Sequence, residues 1–206
     1  MFNSYRPLHS KTEKELLEKI DQIKEIEIND DLILRLEAFS STSVRSSDIY
    51  YKKWVEASIS IEELNEKEIF SVDSLVRLNK LLTGNHGLRK ENVYAGYSEF
   101  PSAIDLEKLL NLFLEEASNI ENTVSRAAFT YQCLLCIHPF SDGNGRLSRL
   151  IASKILTTEN YMPLAFSDQG AGFVIPKTKE DNYHYIALQK TLASHRWLFN
   201  ISLNNS

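Results

Sequence analysis

Thirteen residues in the second half of the chain, Ile137-His138-Pro139-Phe140-Ser141-Asp142-Gly143-Asn144-Gly145-Arg146-Leu147-Ser148-Arg149, bring together one imidazole, one carboxylate, two glycines and two guanidinium groups. An apolar segment precedes them and a helical pattern follows. The first turn of a helix carries unpaired backbone N–H groups and a partial positive charge. Gly143 and Gly145, with Asn144 between them, let such N–H groups approach an anion closely, as phosphate-binding loops do. Arg146 and Arg149 fall three residues apart and project from neighbouring positions, which suits two successive phosphates. Asp142 offers a carboxylate beside those phosphates. Mg²⁺ takes one or two carboxylates, phosphate oxygens and waters, so Asp142 is the candidate metal ligand. His138, at the end of the preceding helical pattern, is the candidate base for an attacking hydroxyl. Singly, each of these has an ordinary explanation. A histidine at a helix end is usually structural, Asp-Gly-Asn-Gly is a common turn, and two arginines can be a solvated helix face. One polyphosphate site accounts for all of them at once.

These residues need a scaffold, and the hydrophobic pattern is that of helices. Leu16, Leu17, Ile20 and Ile23 share a face over residues 11–27. Asn29 reads as the cap of a second helix through Leu32, Ile33, Leu36 and Phe39, ended by the hydroxyl-rich stretch 40–47. Helices are predicted over 48–66, 71–82, 103–117, 122–137, about 145–157 and about 181–203. Thr83-Gly84-Asn85-His86-Gly87 stops the second of these. Residues 88–101 differ: Val93, Tyr94, Gly96, Tyr97 and Phe100 favour extended structure, and Pro101 ends it. They predict a small hairpin or flap. Residues 164–178 read as irregular. Phe140 is assigned to the core, and Pro139 stops the helix before it. The fold class expected is all-α with a small β-hairpin flap. One compact domain is expected, with an N-terminal helical region at 1–66 and a catalytic core at 67–206.

Bulk properties exclude several classes. A length of 206 residues fits one domain. Hydrophobic residues at 43% and charged residues at 25% are those of an ordinary globular protein. The net charge of −5 leaves no global footprint for nucleic acid. No apolar run is long enough to span a membrane, and the N-terminus has no apolar signal core, so the cytoplasm is the expected compartment. Cys133 and Cys136 have C-x-x-C spacing inside an apolar helix, with no second ligand pair elsewhere. They are read as small core residues.

His138 to Arg149 resembles the signature of the Fic family, H-x-F-x-D/E-G-N-G-R-x-x-R, and matches it at every specified position. The likeness extends over roughly residues 70–200: the helix at 71–82, the flap at 88–101, Asn160 to Pro163, and His184 to Leu188. It implies a mostly helical enzyme that transfers AMP from ATP to a hydroxyl of a target protein, with Mg²⁺ as cofactor. By that resemblance His138 deprotonates a Ser, Thr or Tyr of the target, and Asp142 carries Mg²⁺. Gly143, Asn144 and Gly145 form the anion hole, and Arg146 and Arg149 bind the phosphates. Val93, Tyr94, Ala95, Gly96, Tyr97, Ser98 and Glu99 hold the target segment by strand addition. Other partners that the resemblance allows are a regulatory protein or a second copy of the chain. It leaves open removal of AMP, transfer of UMP or phosphocholine, and a nucleotide-binding module without transfer.

Many Fic proteins also carry an inhibitory motif, S/T-x-x-x-E-G/N, whose Glu pairs with the second arginine of the signature, here Arg149. Two stretches compete for that place. Ser58 to Glu62 has the Glu, but Glu63 follows where Gly or Asn is wanted. Ser41 to Ser46 lies at a better distance, but Arg45 stands at the Glu position and would repel Arg149. The second alignment is preferred, and it implies an enzyme without that brake or one governed by a partner.

Overall fold

The computed structural model describes residues 7, 9–23, 36, 48–95, 98–166 and 183–205. Helix α1, Lys11–Asp21, starts at a reciprocal cap: Ser10 Oγ accepts the Glu13 N–H, and the Glu13 carboxylate accepts the Ser10 N–H. It buries Leu16 and Ile20. The continuation expected to residue 27 and the loop at 40–47 lie outside the described residues. Of the helix expected after Asn29, only Leu36 is described; it is helical and packs near Met162, Ala165 and Leu198.

Helix α2, Asp48–Glu62, ends earlier than its pattern predicts, and a short α3, Glu66–Ile69, follows. The break has a local cause. Asn65 Oδ1 accepts the Glu68 N–H while Glu68 Oε2 accepts the Asn65 N–H, a second capping box that starts a new helix. Helix α4, Val72–Thr83, is capped by Ser71 and closed by Gly84 in the left-handed region, φ 86°.

Strands β1, Tyr94–Ala95, and β2, Ser98–Glu99, pair antiparallel as the expected hairpin, Tyr94 opposite Glu99 and Ala95 opposite Ser98. Gly96 and Tyr97 lie outside the described residues. The base of the hairpin is closed twice: the Phe100 N–H donates to Val93 O, and the Ala103 N–H donates to Asn92 Oδ1. A 3₁₀ turn, Ala103–Asp105, leads into α5, Leu106–Ser118.

Helix α6, Thr123–Ile137, is the centre of the molecule. Of its residues only Thr123, Arg126 and Cys136 are not buried, as expected of a helix that is covered all round. Cys133 is buried and Cys136 half-buried, and both are free thiols. Helices α7, Asn144–Thr157, α8, Tyr183–Asn205, and α5 pack around α6. Helices α2 and α4 pack on each other and both meet α7, while α1 lies along α8. One buried cluster runs from Leu16 and Trp54 through Phe113, Phe129 and Phe140 to Leu192. The connection between α6 and α7 therefore emerges where α2, α4 and the flap base converge. Among the described residues, no helix is long and apolar enough to cross a membrane.

Candidate active site

His138 is the C-cap of α6 and adopts a left-handed conformation, φ 51° and ψ 57°, with its N–H donating to Leu134 O. A residue other than Gly or Asn rarely does this. Pro139 forbids the helix to continue, so the chain must turn at this point. The turn leaves the imidazole half-buried. Its Nδ1 lies 3.3 Å from Leu135 O, and its ring stacks on Phe100 at 4.1 Å between centroids and 24° between planes. With Nδ1–H donating to that carbonyl, Nε2 is the basic nitrogen. Burial lowers the imidazole pKa from its ordinary value. The Leu135 hydrogen bond pulls it back up, the Arg89 charge lowers it further, and Asp142 raises it. The net direction is down, so the ring is neutral near pH 7.

The loop after it is built by its own side chains. The Asn144 carboxamide grips the Phe140 peptide at both ends, accepting from its N–H at 3.0 Å and donating to its carbonyl at 2.7 Å. Its side chain is therefore a loop fastener, and only its backbone N–H is left to face an anion. Asp142 Oδ1 accepts the Gly143 N–H at 2.6 Å, and Asn79 of α4 donates to Asp142 O at 3.0 Å. Gly143 has φ 83°, and a Cβ there would lie 2.4 Å from Thr83 Cγ2 and 2.8 Å from Asn79 Nδ2. The glycine is thus required twice, by backbone conformation and by the closeness of α4. Leu147 N–H makes the first bond of α7, to Gly143 O at 2.9 Å. The N–H groups of Asn144, Gly145 and Arg146 precede it in the first turn, the anion-binding end of a helix.

The two arginines are held differently. Arg146 donates through Nη1 to Leu82 O at 3.0 Å and through Nη2 to Asp142 Oδ2 at 2.8 Å, with its Cζ 5.3 Å from the Tyr50 ring centroid. Arg149 is almost wholly buried, at 1% exposure, and its Cζ lies 5.5 Å from the Trp54 ring centroid. Burial raises the pKa of the neighbouring Tyr131 hydroxyl, and the positive charge of Arg149 partly offsets this. Helix α2 therefore lays two aromatic faces, one turn apart, against the two guanidinium groups. Cation–π contact helps to hold each guanidinium in place.

The Asp142 side chain is 67% exposed. Among the described residues, no group of three His, Cys, Asp or Glu side chains could hold a metal by itself. A single accessible carboxylate fits a Mg²⁺ ion that takes its other ligands from phosphate oxygens and water.

Glu62 reaches Lys154 of α7, Oε2 to Nζ 2.5 Å. Arg45 lies outside the described residues. The hairpin carries Tyr94 and Glu99 as an exposed cross-strand pair, the Tyr94 hydroxyl donating to Glu99 Oε1 at 3.1 Å. Sequence reasoning missed four residues that shape the site. Tyr50 and Trp54 read only as apolar anchors of α2, and Asn79 as one polar residue of α4. Arg89 gave no local signal: its partners are carbonyl groups, which no side-chain pattern records.

Residues 69–156 match the model of the Fic/DOC family. Among curated proteins, the chain is 36% identical over 104 residues to the protein adenylyltransferase and cysteine protease IbpA of Histophilus somni, covering 49% of this chain and 2% of that protein. It is 28% identical over 133 residues to the protein adenylyltransferase Fic of Nematostella vectensis, covering 60% of this chain and 29% of that one. The chain thus spans under a third of the length of either relative. In solved structures, the second Fic domain of IbpA, in a His-to-Ala form complexed with adenylylated Cdc42, superposes with a TM-score of 0.69 at 22% identity, over 93% of this chain and 71% of that one. A Fic family protein from Desulfovibrio desulfuricans superposes at 0.67 and 15%, over 95% and 76%. The fold is that of these proteins.

Proposed function

A domain of the Fic/DOC family occupies residues 69–156, and from that premise we propose that the chain is a protein adenylyltransferase that moves AMP from ATP to a Ser, Thr or Tyr hydroxyl of a target protein. One observation carries the proposal. His138 caps the helix before the turn, Gly143 caps the helix after it, and Arg146 and Arg149 on that second helix each lie against an aromatic ring of α2. The relatives support the same reading, since several are protein adenylyltransferases.

The phosphate chain of ATP lies over the first-turn N–H groups of Asn144, Gly145 and Arg146, and Arg146 and Arg149 neutralise it. Asp142 is the side chain that would hold Mg²⁺, whose charge offsets that of the phosphates when bound. Arg146 must then exchange part of its contact with Asp142 for a phosphate oxygen. A target strand pairs with the hairpin edge at residues 93–99 and brings its hydroxyl to His138. The hydroxyl oxygen bonds to the α-phosphorus as the bond from that phosphorus to the bridging oxygen breaks. Pyrophosphate leaves, and the hydroxyl proton passes to His138 Nε2. Positioning and charge stabilisation supply most of the rate, with base catalysis added.

Incubating the chain and candidate targets with ATP labelled at the α-phosphate tests the proposal. Covalent label retained on protein is the expected result, and GTP, UTP and CTP run in parallel define the group transferred. Binding of ATP–Mg²⁺ without any transfer would overturn it in favour of a binding module.

The histidine sets a pH dependence. Only the neutral ring accepts a proton, and its pKa lies below the ordinary 6.5. The acid limb of kcat/KM should therefore have its midpoint below 6.5, with the rate flat from there through neutrality. A midpoint well above that value would mean that another group titrates.

Regulation by Glu62 is a separate matter, because its carboxylate is on Lys154. Glu62→Gly is expected to leave transfer within about twofold of the unsubstituted chain, since the contact it removes is the ion pair with Lys154 and not one with Arg146 or Asp142. A large gain in label incorporation would identify Glu62 as a brake.

A further inference from the structure

Arg89 lies between α4 and the flap, outside the phosphate-binding sequence, and is 6% exposed. A buried guanidinium ordinarily sits against a carboxylate. Among the described residues none pairs with it. Its three donor nitrogens go instead to three main-chain carbonyls. Nε donates to His138 O at 2.7 Å, Nη1 to Glu91 O at 2.7 Å, and Nη2 to Pro101 O at 2.5 Å. Its own backbone N–H donates to Pro139 O at 2.9 Å. Glu91 precedes the hairpin and Pro101 follows it, so one planar group holds both feet of the flap and the peptide of the base. Phe100, next to Pro101, adds the stacking contact on the His138 ring.

A second feature gives this clamp a purpose. His138 is in a left-handed conformation that L-residues with large side chains avoid. Such a conformation persists only where surrounding contacts over-determine it. Two bonds from Arg89, to the carbonyls of His138 and Pro139, are placed to do that. The flap and the base belong to segments some forty residues apart in sequence, yet a target strand docked on one must deliver its hydroxyl to the other. In a reaction that depends on near-attack geometry, a register error of about 1 Å costs on the order of 100-fold in rate.

We propose that Arg89 is a positioning residue that locks the flap and the base-bearing turn into one rigid unit, so that a strand held at residues 93–99 presents its hydroxyl at His138. This rests on the reading of His138 as the base. Lysine does not replace Arg89, because an ammonium group on a flexible stem lacks the planar fork that meets three carbonyls. The Arg89 side chain bonds the two flap feet and His138 O, whereas Arg146 is held by Leu82 O and Asp142, so the loss is expected in transfer and not in nucleotide binding.

The test compares the unsubstituted chain with Arg89→Lys and Arg89→Met by three measurements. In calorimetry, ATP–Mg²⁺ should bind both variants with unchanged stoichiometry and affinity. Label transfer to lysate proteins should fall on the order of 100-fold in both. In native-state amide exchange, the Phe100 and Ala103 amides should speed up by at least about tenfold, the factor corresponding to one lost hydrogen bond to a charged group, while α7 stays protected. Transfer at the unsubstituted rate, or flap exchange unchanged, overturns the proposal. A variant that loses ATP binding along with transfer has merely a damaged fold and also overturns it. Should the unsubstituted chain itself transfer nothing, the adenylyltransferase reading fails, while the exchange arm still decides whether Arg89 couples the two segments. If neither variant folds, the unsubstituted chain decides: the amides of Arg89, Phe100 and Phe140 should open as one cooperative unit, and separate opening overturns the clamp.

Discussion

His138→Ala is expected to lower nucleotide transfer by roughly 10²–10⁴, the range general-base removal typically costs, while ATP–Mg²⁺ still binds. The separation of the two effects follows from the geometry. The imidazole bonds Leu135 O and stacks on Phe100, and neither contact involves Arg146, Arg149 or the first turn of α7. His138→Asn is the better control. Asparagine tolerates the left-handed backbone that His138 occupies, so it spares the turn while removing the basic nitrogen. Both variants should bind ATP–Mg²⁺ normally in calorimetry and incorporate almost no label. If His138→Asn labels a target as fast as the unsubstituted chain, His138 is not the base.

Gly143→Ala has the largest expected effect on stability. Its added methyl meets two separate penalties. The backbone stands at φ 83°, and the new Cβ would overlap the Thr83 side chain at 2.4 Å and that of Asn79 at 2.8 Å. Left-handed strain and overpacking each cost about 1–3 kcal/mol, so about 2–6 kcal/mol is expected in sum. That is a large part of the roughly 5–15 kcal/mol by which domains are stable. Relief would require α4 to move away from the loop and would strain the Asn79 bond to Asp142 O. Nucleotide affinity should therefore fall together with stability. Denaturant unfolding and calorimetry check the two effects. An unchanged unfolding midpoint would show that Thr83 and Asn79 retreat freely and that the close approach is incidental.

Helices α4, α6 and α7 were readable to within a residue because their stop signals are local. Ser71 and Asn122 cap, Gly84 ends one helix, and Pro139 ends another. The early end of α2 was also local, in the Asn65 and Glu68 capping box, but the apolar pattern running through Leu64 hid it. The hairpin was visible from residue type alone, although its feet were not, because they are tied by Arg89 and Asn92 to backbone atoms. Within the candidate site, the side-chain types of residues 138–149 and their spacing were plain in the sequence. How those side chains are used was not. Asn144 binds a peptide with its side chain, Asp142 is engaged by Arg146, and Arg149 is buried against an aromatic ring contributed by α2.

What the sequence determined by itself is therefore the inventory and the local geometry: an imidazole at a forced helix end, a helix start with its unpaired N–H groups, and two cations one helical turn apart. Short-range sterics and capping settle these, and they act over a few residues. Only the tertiary structure decided which partners restrain them. Trp54 and Tyr50 come from α2, Asn79 and Thr83 from α4, and Arg89 joins the flap to the base. Each is a contact between segments distant in the chain, selected by how the helices pack around α6, and nothing in the spacing of residues along a sequence records which helix faces will meet.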